Sequence, residues 1–421
     1  MKVLVVGGGG REHALVWKLK QSPRVNEVFC APGNAGIALD ATCVDISADN
    51  VQGLLQFAQQ NKIDLTVVGP EAPLIEGLAD TFEANGLRVF GPAQRAAEIE
   101  GSKALAKEIM IKYDIPTGAY AEFTEAAKAI AYIEEKGAPI VVKADGLAAG
   151  KGVIVAMDKA TAIDAVKMIM EDKAFGESGE KIIIEEYLDG EEVSVLAFSD
   201  GIHVVPMASS QDHKRVFDND EGLNTGGMGA YSPAPVYTTE LAEYTLKNIL
   251  EPSIKGLAAE GRTYVGVIYA GLIVTKEGPK VLEYNARFGD PETQPILARL
   301  ETDLVDIIDA ILDKKLDTIE IKWRPEVAVC VVMASQGYPG DYPKGIPIQG
   351  LNEVPTGTVV FHAGTAEKDG KIVTSGGRVL GVTALGSNTA TAIDNAYAAV
   401  GKIHFDGMHY RKDIGQRALN R

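Results

Sequence analysis

The sequence predicts a multidomain chain of mixed α/β and α+β type, and three observations carry that prediction. The chain has 421 residues, enough at roughly 150 per domain for two to four cores. Its first stretch alternates buried strands, Gly- or Pro-rich turns and helices, the pattern of a doubly wound parallel sheet. Later stretches show neighbouring strands joined by short turns, which suits antiparallel pairing. Taken in order, this gives an N-terminal doubly wound parallel sheet over 1–100, a central unit over 101–325 and a small C-terminal α+β unit over 326–421.

Composition narrows the function classes. The net charge is −17, which argues against a general nucleic-acid or anionic-membrane binder, because phosphate surfaces demand basic patches. It leaves room for one phosphorylated ligand held by local cations. Cys30, Cys43 and Cys330 are far apart and lack metal-ligand spacing, so they read as buried thiols in a reducing compartment. The apolar run after Met1-Lys2 is too short for a signal peptide, and no other run approaches a membrane span. The expectation is a soluble cytoplasmic protein.

Val3–Val6 is a compact strand followed at once by Gly7–Gly10, and a helix begins near Arg11. Glycines let a backbone approach a ligand, and a helix N-terminus offers free N–H groups to an anion. A dinucleotide fingerprint would need Gly or Ala at 12, where Glu12 stands. Val25–Cys30, Leu65–Val68 and Leu87–Phe90 read as further strands ending in Pro32-Gly33-Asn34, Gly69-Pro70-Glu71 and Gly91-Pro92. Each turn alone is ordinary turn chemistry. Together, at the carboxyl edge of one sheet, they frame a ligand crevice. His13 lies on the first helix in a structural role.

Ser102 is a suitable cap for an amphipathic helix that Lys103 opens. A helix near Glu125–Lys136 follows, then the strand Pro139–Ala144. Lys143 stands at the end of its apolar run, where a charge needs a reason. Asp145–Gly152 is a small-residue hairpin suited to covering phosphates. It is not a Walker loop, since Gly152 replaces Ser/Thr and the strand Val153–Ala156 follows instead of a helix. The strand Lys181–Glu186 runs into the acidic turn Tyr187–Glu192.

Val193–Phe198 and Ile202–Ala208 read as a hairpin. Gln211–Arg215 and Asn224–Pro233 read as loops, the second too rich in Gly and polar groups to fill a core. Val281–Gln294 begins as a strand on which Val281, Glu283, Asn285 and Arg287 fall at every second residue, so they would share one face. A carboxylate and an amide oxygen are hard ligands that suit Mg²⁺. An Arg fork beside them suits phosphate or carboxylate oxygens. A solvated polar face is the competing reading. Beyond Trp323–Pro325, four strands (Val327–Met333, Thr358–Phe361, Lys371–Thr374, Arg378–Ala384) and a helix over Thr389–Lys402 complete the chain. Gly376–Arg378 is either a cleft-lining turn or a plain hairpin.

Glu283-x-Asn285-x-Arg287 resembles the magnesium strand of the ATP-grasp ligases. Arg287–Gln294 (RFGDPETQ), Gln211–Arg215 and Asn224–Pro233 resemble the corresponding strings of the glycinamide ribonucleotide synthetase family, and the likeness spans essentially the whole chain. The resemblance implies a two-lobed ATP-grasp domain over 101–325, with a lid subdomain over about 119–189. It implies ATP held by Lys103, Lys143, the loop residues Gly146, Gly150 and Lys151, the stretch Glu185, Glu186 and Leu188, and Glu192 at the ribose. Glu283 and Asn285 are the implied ligands of Mg²⁺ (or Mn²⁺), with ATP oxygens and water completing the shell. The preceding strand, Ile268–Ile273, carries no acid.

Gly10, Arg11, Asn34, Glu71 and Lys214 are the implied contacts to 5-phosphoribosylamine. Asp212, Gly226, Gly227, Asp290 and Pro291 also fall on the substrate side. Arg287, Lys214 and Asp212 are the implied catalytic set, Arg287 for the transferring phosphoryl and Asp212 for a general base if one is used. The implied reaction joins glycine to 5-phosphoribosylamine at the expense of ATP, through a glycyl phosphate, in purine biosynthesis. The partners are then small molecules, with no nucleic acid and no membrane, and the protein a monomer. Three other readings compete: an ATP-grasp ligase for a different acid, an NAD(P)-dependent oxidoreductase resting on Gly7–Gly10, and a nucleotide sensor.

Overall fold

The computed structural model describes residues 1–146 and 152–419. Lys2–Gly7 is the middle strand of a five-stranded parallel sheet, in the order Thr42–Cys43, Glu27–Pro32, Lys2–Gly7, Leu65–Val68, Val89–Phe90. Both of its faces are covered, and Val3 through Val6 are fully buried. That is why the run is continuously apolar rather than alternating. The helix Gly10–Leu19 starts directly behind it, where the Glu12 carboxylate accepts the Gly9 N–H at 2.6 Å.

The next sheet is antiparallel, in the order Tyr120–Phe123, Ile182–Glu186, Ile140–Ala144, Val153–Ala156. It is covered by helices Ala126–Lys136 and Lys159–Val166 and has its own core around Ile133, Val142, Val166 and Ile184. A second antiparallel sheet runs Val204–Pro206, Glu191–Asp200, Val265–Thr275, Gly278–Asn285. One face of it (Val193, Val195, Ala270, Leu272) packs on the helix residues Ile109, Ile254 and Leu257. The other (Leu196, Phe198, Val267) packs on the helix Leu304–Leu312.

The last sheet corrects the reading of 211–233 as loops. Gln211–Asp212 and Gly229–Ser232 are strands, and they form one sheet with Val327–Ala334, Arg378–Gly386 and Thr358–His362. Met228, Ala230 and Tyr231 are buried, so this segment does fill a core. Gly229 permits the pairing: a Cβ there would come within 2.7 Å of the Cys330 carbonyl. The helix Thr389–Val400 covers the sheet. Cys30 and Cys330 are buried as expected, but Cys43, on the outermost strand of its sheet, is only half-buried. Among the described residues, no helix is long and apolar enough to cross a membrane.

Candidate active site

The strand Gly278–Asn285 forms the floor of the site, and its register is interrupted. Gly271 pairs with Glu283 while the next residue, Leu272, pairs with Val281, leaving Leu282 as an extra residue. A bulge of this kind re-aims the side chains beyond it. The four-residue face expected from simple alternation is therefore broken. Val281 turns into the core with Tyr284, whereas Glu283 and Asn285 lie on the opposite face. Arg287 lies past the end of the strand. Lys143 Nζ donates to the bulged Leu282 carbonyl at 3.2 Å, and Thr117 Oγ1 donates to the Val281 carbonyl at 2.8 Å.

On one side of the floor lie buried lysines. The Glu185 carboxylate is shared: Oε1 is 2.9 Å from Lys143 Nζ and Oε2 is 3.0 Å from Lys107 Nζ. Lys103 donates to the Gly146 carbonyl at 3.0 Å, beside the Ser102 cap. Burial lowers the pKa of both Lys103 and Lys107. After Glu186 the chain leaves the sheet, so Tyr187 and Leu188 carry backbone groups outside the strand pairing. Glu192 sits 2.7 Å from Lys214, whose Nζ is also 3.9 Å from Glu283. Burial pushes the Glu283 carboxyl up, but Lys214, Lys143, Lys103 and Arg287 together hold it below the usual range. It stays ionised. Gly150 and Lys151 lie outside the described residues.

On the other side, Arg287 is held between two acids, Glu71 at 3.1 Å and Glu100 at 2.8 Å, and it donates to Asn285 Oδ1 at 3.2 Å. Glu100 uses its second oxygen to accept the Ala286 N–H at 2.6 Å. Burial raises the Glu100 pKa, while the Arg287 and Arg11 charges leave that of Glu71 lowered despite its burial. Asp212 is raised well above the carboxylate range by burial and then by Glu292. Glu292 itself accepts from Tyr269 Oη at 2.6 Å and Ser194 Oγ at 3.0 Å. His213 turns away from the site: its Nδ1 donates to the Gly229 carbonyl at 3.2 Å, its Nε2 accepts the Gly415 N–H at 3.4 Å, and burial keeps it neutral, with a pKa of about 3.

The first helix does not present a vacant anion slot. Asp290 stands beside it, its carboxylate pairing with Arg378 at 3.3 Å and accepting from Gln294 Nε2 at 2.9 Å, and the Arg378 and Arg11 charges hold its pKa below the usual range despite burial. A helix N-terminus takes whichever anion the fold delivers, and here that anion comes from the chain itself. Arg11 reaches the Phe288 carbonyl at 3.0 Å, and a Cβ on Gly10 would meet Gln294. The Asn34 side chain is fully engaged, donating to the Gly8 and His362 carbonyls and accepting from Gly36 and Ile37. His13 accepts the His362 N–H at 2.7 Å, the structural role expected of it.

At the Gly376–Arg378 turn, Arg378 donates to the Gly226 and Asp290 carbonyls at 2.6 and 2.8 Å, which ties the turn to both segments. Gly227 has φ +112°, and a Cβ there would strike Pro291 and lie 2.7 Å from Asp212. The structure thus gathers Glu283, Asn285, Arg287, Lys103, Lys143 and Lys214 at one floor. It spends Asn34 and Asp290 on holding the frame together. Lys107, Glu100 and Glu292 escaped sequence reasoning. Lys107 carried a usable signal, because it follows Lys103 by one helical turn.

Glu283 and Asn285 fit a divalent cation of the Mg²⁺ type: an ionised carboxylate and an amide oxygen, both hard donors, two residues apart. No group of three or more His, Cys, Asp or Glu among the described residues is arranged to hold a metal.

Comparison with known proteins finds relatives along the whole chain. Three family models cover the chain: the N domain of phosphoribosylglycinamide synthetase over 1–100, its ATP-grasp (A) domain over 101–293 and its C domain over 328–417. A phosphoribosylamine–glycine ligase of Vibrio parahaemolyticus is 55% identical across 100% of this chain and 99% of its own. The crystal structure of the phosphoribosylamine–glycine ligase of Thermotoga maritima superposes with a TM-score of 0.84 at 33% identity, over 98% of this chain and 100% of that one. A biotin carboxylase domain from Hydrogenobacter thermophilus, in complex with MgADP, shares the fold at a TM-score of 0.77 and 16% identity, over 97% of this chain and 91% of that one.

Proposed function

The chain belongs to the phosphoribosylglycinamide synthetase family, and from that premise we propose how its residues divide the work. It is an ATP-dependent carbon–nitrogen ligase of purine biosynthesis. It joins glycine to 5-phosphoribosylamine through a glycyl phosphate, releasing ADP and phosphate. A carboxylate is a poor acylating agent, and phosphorylating it supplies a leaving group.

Lys103 and Lys143 bind the ATP phosphates, backbone groups at Tyr187–Leu188 meet the purine edge, and Glu192 takes the ribose. Glu283 and Asn285 hold Mg²⁺ or Mn²⁺, which when bound neutralises charge on the phosphates. Gly146, Gly150 and Lys151 belong to the loop that excludes water from the acyl phosphate. Arg287 binds the transferring phosphoryl and then the tetrahedral oxyanion, releasing Glu71 as it does so. Gly10, Arg11, Glu71, Gly226, Gly227 and Pro291 line the substrate side. Asn34 and Asp290 act there by fixing the loops. The amine nitrogen attacks the acyl carbon, the phosphate leaves, and the nitrogen sheds a proton to Asp212. The raised pKa of Asp212 suits that transfer.

The observation that carries this reading is the Glu283 carboxylate, kept ionised among Lys214, Lys143 and Lys103. The reading keeps the expectation of a monomer in the cytoplasm that acts on small molecules, without nucleic acid or membrane. The deciding experiment follows ADP release from MgATP with glycine and freshly generated 5-phosphoribosylamine, separately and together. Release should require both. Release that accepts another amino acid in place of glycine would change the acid substrate, and release in no combination would overturn the mechanism.

A further inference from the structure

Lys107 takes no part in the mechanism above, yet it is 1% exposed and 3.0 Å from Glu185. Its ammonium also donates to Thr117 Oγ1 at 2.7 Å, the same hydroxyl that donates to the Val281 carbonyl beside the bulge. Glu185 is equally buried and has a second cation, Lys143, at 2.9 Å. One buried carboxylate therefore serves two buried lysines, one on each oxygen. A buried carboxylate left without a counter-ion is strongly unfavourable. If Lys143 were the only partner of Glu185, it could reach a nucleotide phosphate only by leaving that carboxylate uncompensated. With Lys107 on the other oxygen, Glu185 stays paired whichever way Lys143 turns.

The geometry points to Lys107 as a positioning residue for nucleotide binding. It holds the charge of Glu185 so that Lys143 is free to engage phosphate. This rests on the reading of Lys143 as a phosphate ligand. The arrangement places two positive charges against one negative in a dry region, and the phosphate chain of the nucleotide supplies the missing anion. Lys107 itself touches no substrate and acts only through Glu185.

The test measures MgADP affinity by calorimetry on the full chain, with steady-state kinetics in parallel. Lys107→Met and Lys107→Gln should each weaken MgADP by about tenfold to a hundredfold and raise the KM for ATP alike. The kcat at saturating ATP should stay within about threefold of the parent, because the chemistry is not touched. Gln can retain the Thr117 hydrogen bond without the charge, so it separates charge from packing. The double variant Lys107→Met/Glu185→Gln has no buried carboxylate to strand and should bind MgADP at least about threefold more tightly than Lys107→Met. Unchanged affinity in both Lys107 variants, or a double variant as weak as Lys107→Met, would overturn the inference. Lys143→Met tells the two readings apart. If it leaves MgADP affinity unchanged, the phosphate reading falls and takes the inference with it. If it weakens binding while the Lys107 variants do not, the inference alone falls.

Discussion

Two ionic triads flank the floor of the site, one buried and one half-buried, and they have opposite signs. On the nucleotide side, one carboxylate lies between two cations: Lys107, Glu185, Lys143. On the substrate side, one cation lies between two carboxylates: Glu71, Arg287, Glu100. Each carries one unit of charge beyond neutrality, in surroundings where charge is costly. The first favours an arriving polyanion. The second favours an arriving cation. A single central counter-ion would lock its partner, whereas a shared one lets the outer group leave.

The largest effect should come from the centre of the negative triad. Arg287→Lys should lower kcat by about 10²–10³, because an ammonium cannot reproduce the fork that spans Glu71, Glu100 and the phosphoryl. Near-full turnover at saturating substrates would reduce that triad to scaffolding and break the comparison. Lys214→Ala comes next. Lys214 bonds Glu192 and faces Glu283, so its loss should raise the KM for MgATP by about tenfold. A rise confined to 5-phosphoribosylamine would return Lys214 to the substrate side, where the resemblance puts it. Glu100→Gln is milder. The amide oxygen can still accept the Ala286 N–H, so kcat should fall by about threefold to tenfold with the KM for ATP unchanged. A changed KM for ATP would show that the two triads are not separate.

The smallest effect on rate is a control on the seam between the N- and C-terminal sheets. Burial, with His13 beside it, lowers the His362 pKa to about 4. Between the unfolded value near 6.5 and that folded value, the unfolded chain binds more protons, so stability is lost as pH falls through that window. Urea midpoints between pH 7.5 and 4.5 should show the loss. His362→Asn should reduce the slope, leaving the part that buried His213 contributes in the same window, with kcat at pH 8 unchanged. A curve of undiminished slope would show that His362 does not carry the dependence.

Much of this was legible in the sequence. The doubly wound strands, the cap at Ser102, and the pairing of Glu283 with Asn285 all follow from local pattern. The bulge at Leu282 did not, because one extra residue is invisible to a rule of alternation and reverses every side chain before it. Asp290 at the first helix was hidden for another reason. Its neighbours, Gly9 and Gly10 on one side and Arg378 on the other, lie far off in both directions along the chain, and nothing local announces them. The strand Gly229–Ser232 was mistaken for a loop because its glycines signal turns, while the strand that makes it a strand, Val327–Ala334, lies in what reads as another unit.

That last pairing has a consequence for biosynthesis. Strand Gly229–Ser232 leaves the ribosome long before its neighbour Val327–Ala334 exists. The nucleotide-binding half can mature during translation, but the glycine-rich stretch that meets Asp212 and Pro291 must wait. In the interval it offers an unpaired strand edge to other chains. A nascent chain arrested near residue 325 should therefore be prone to aggregate, and a catalytically complete cleft should appear only after the final sheet has closed.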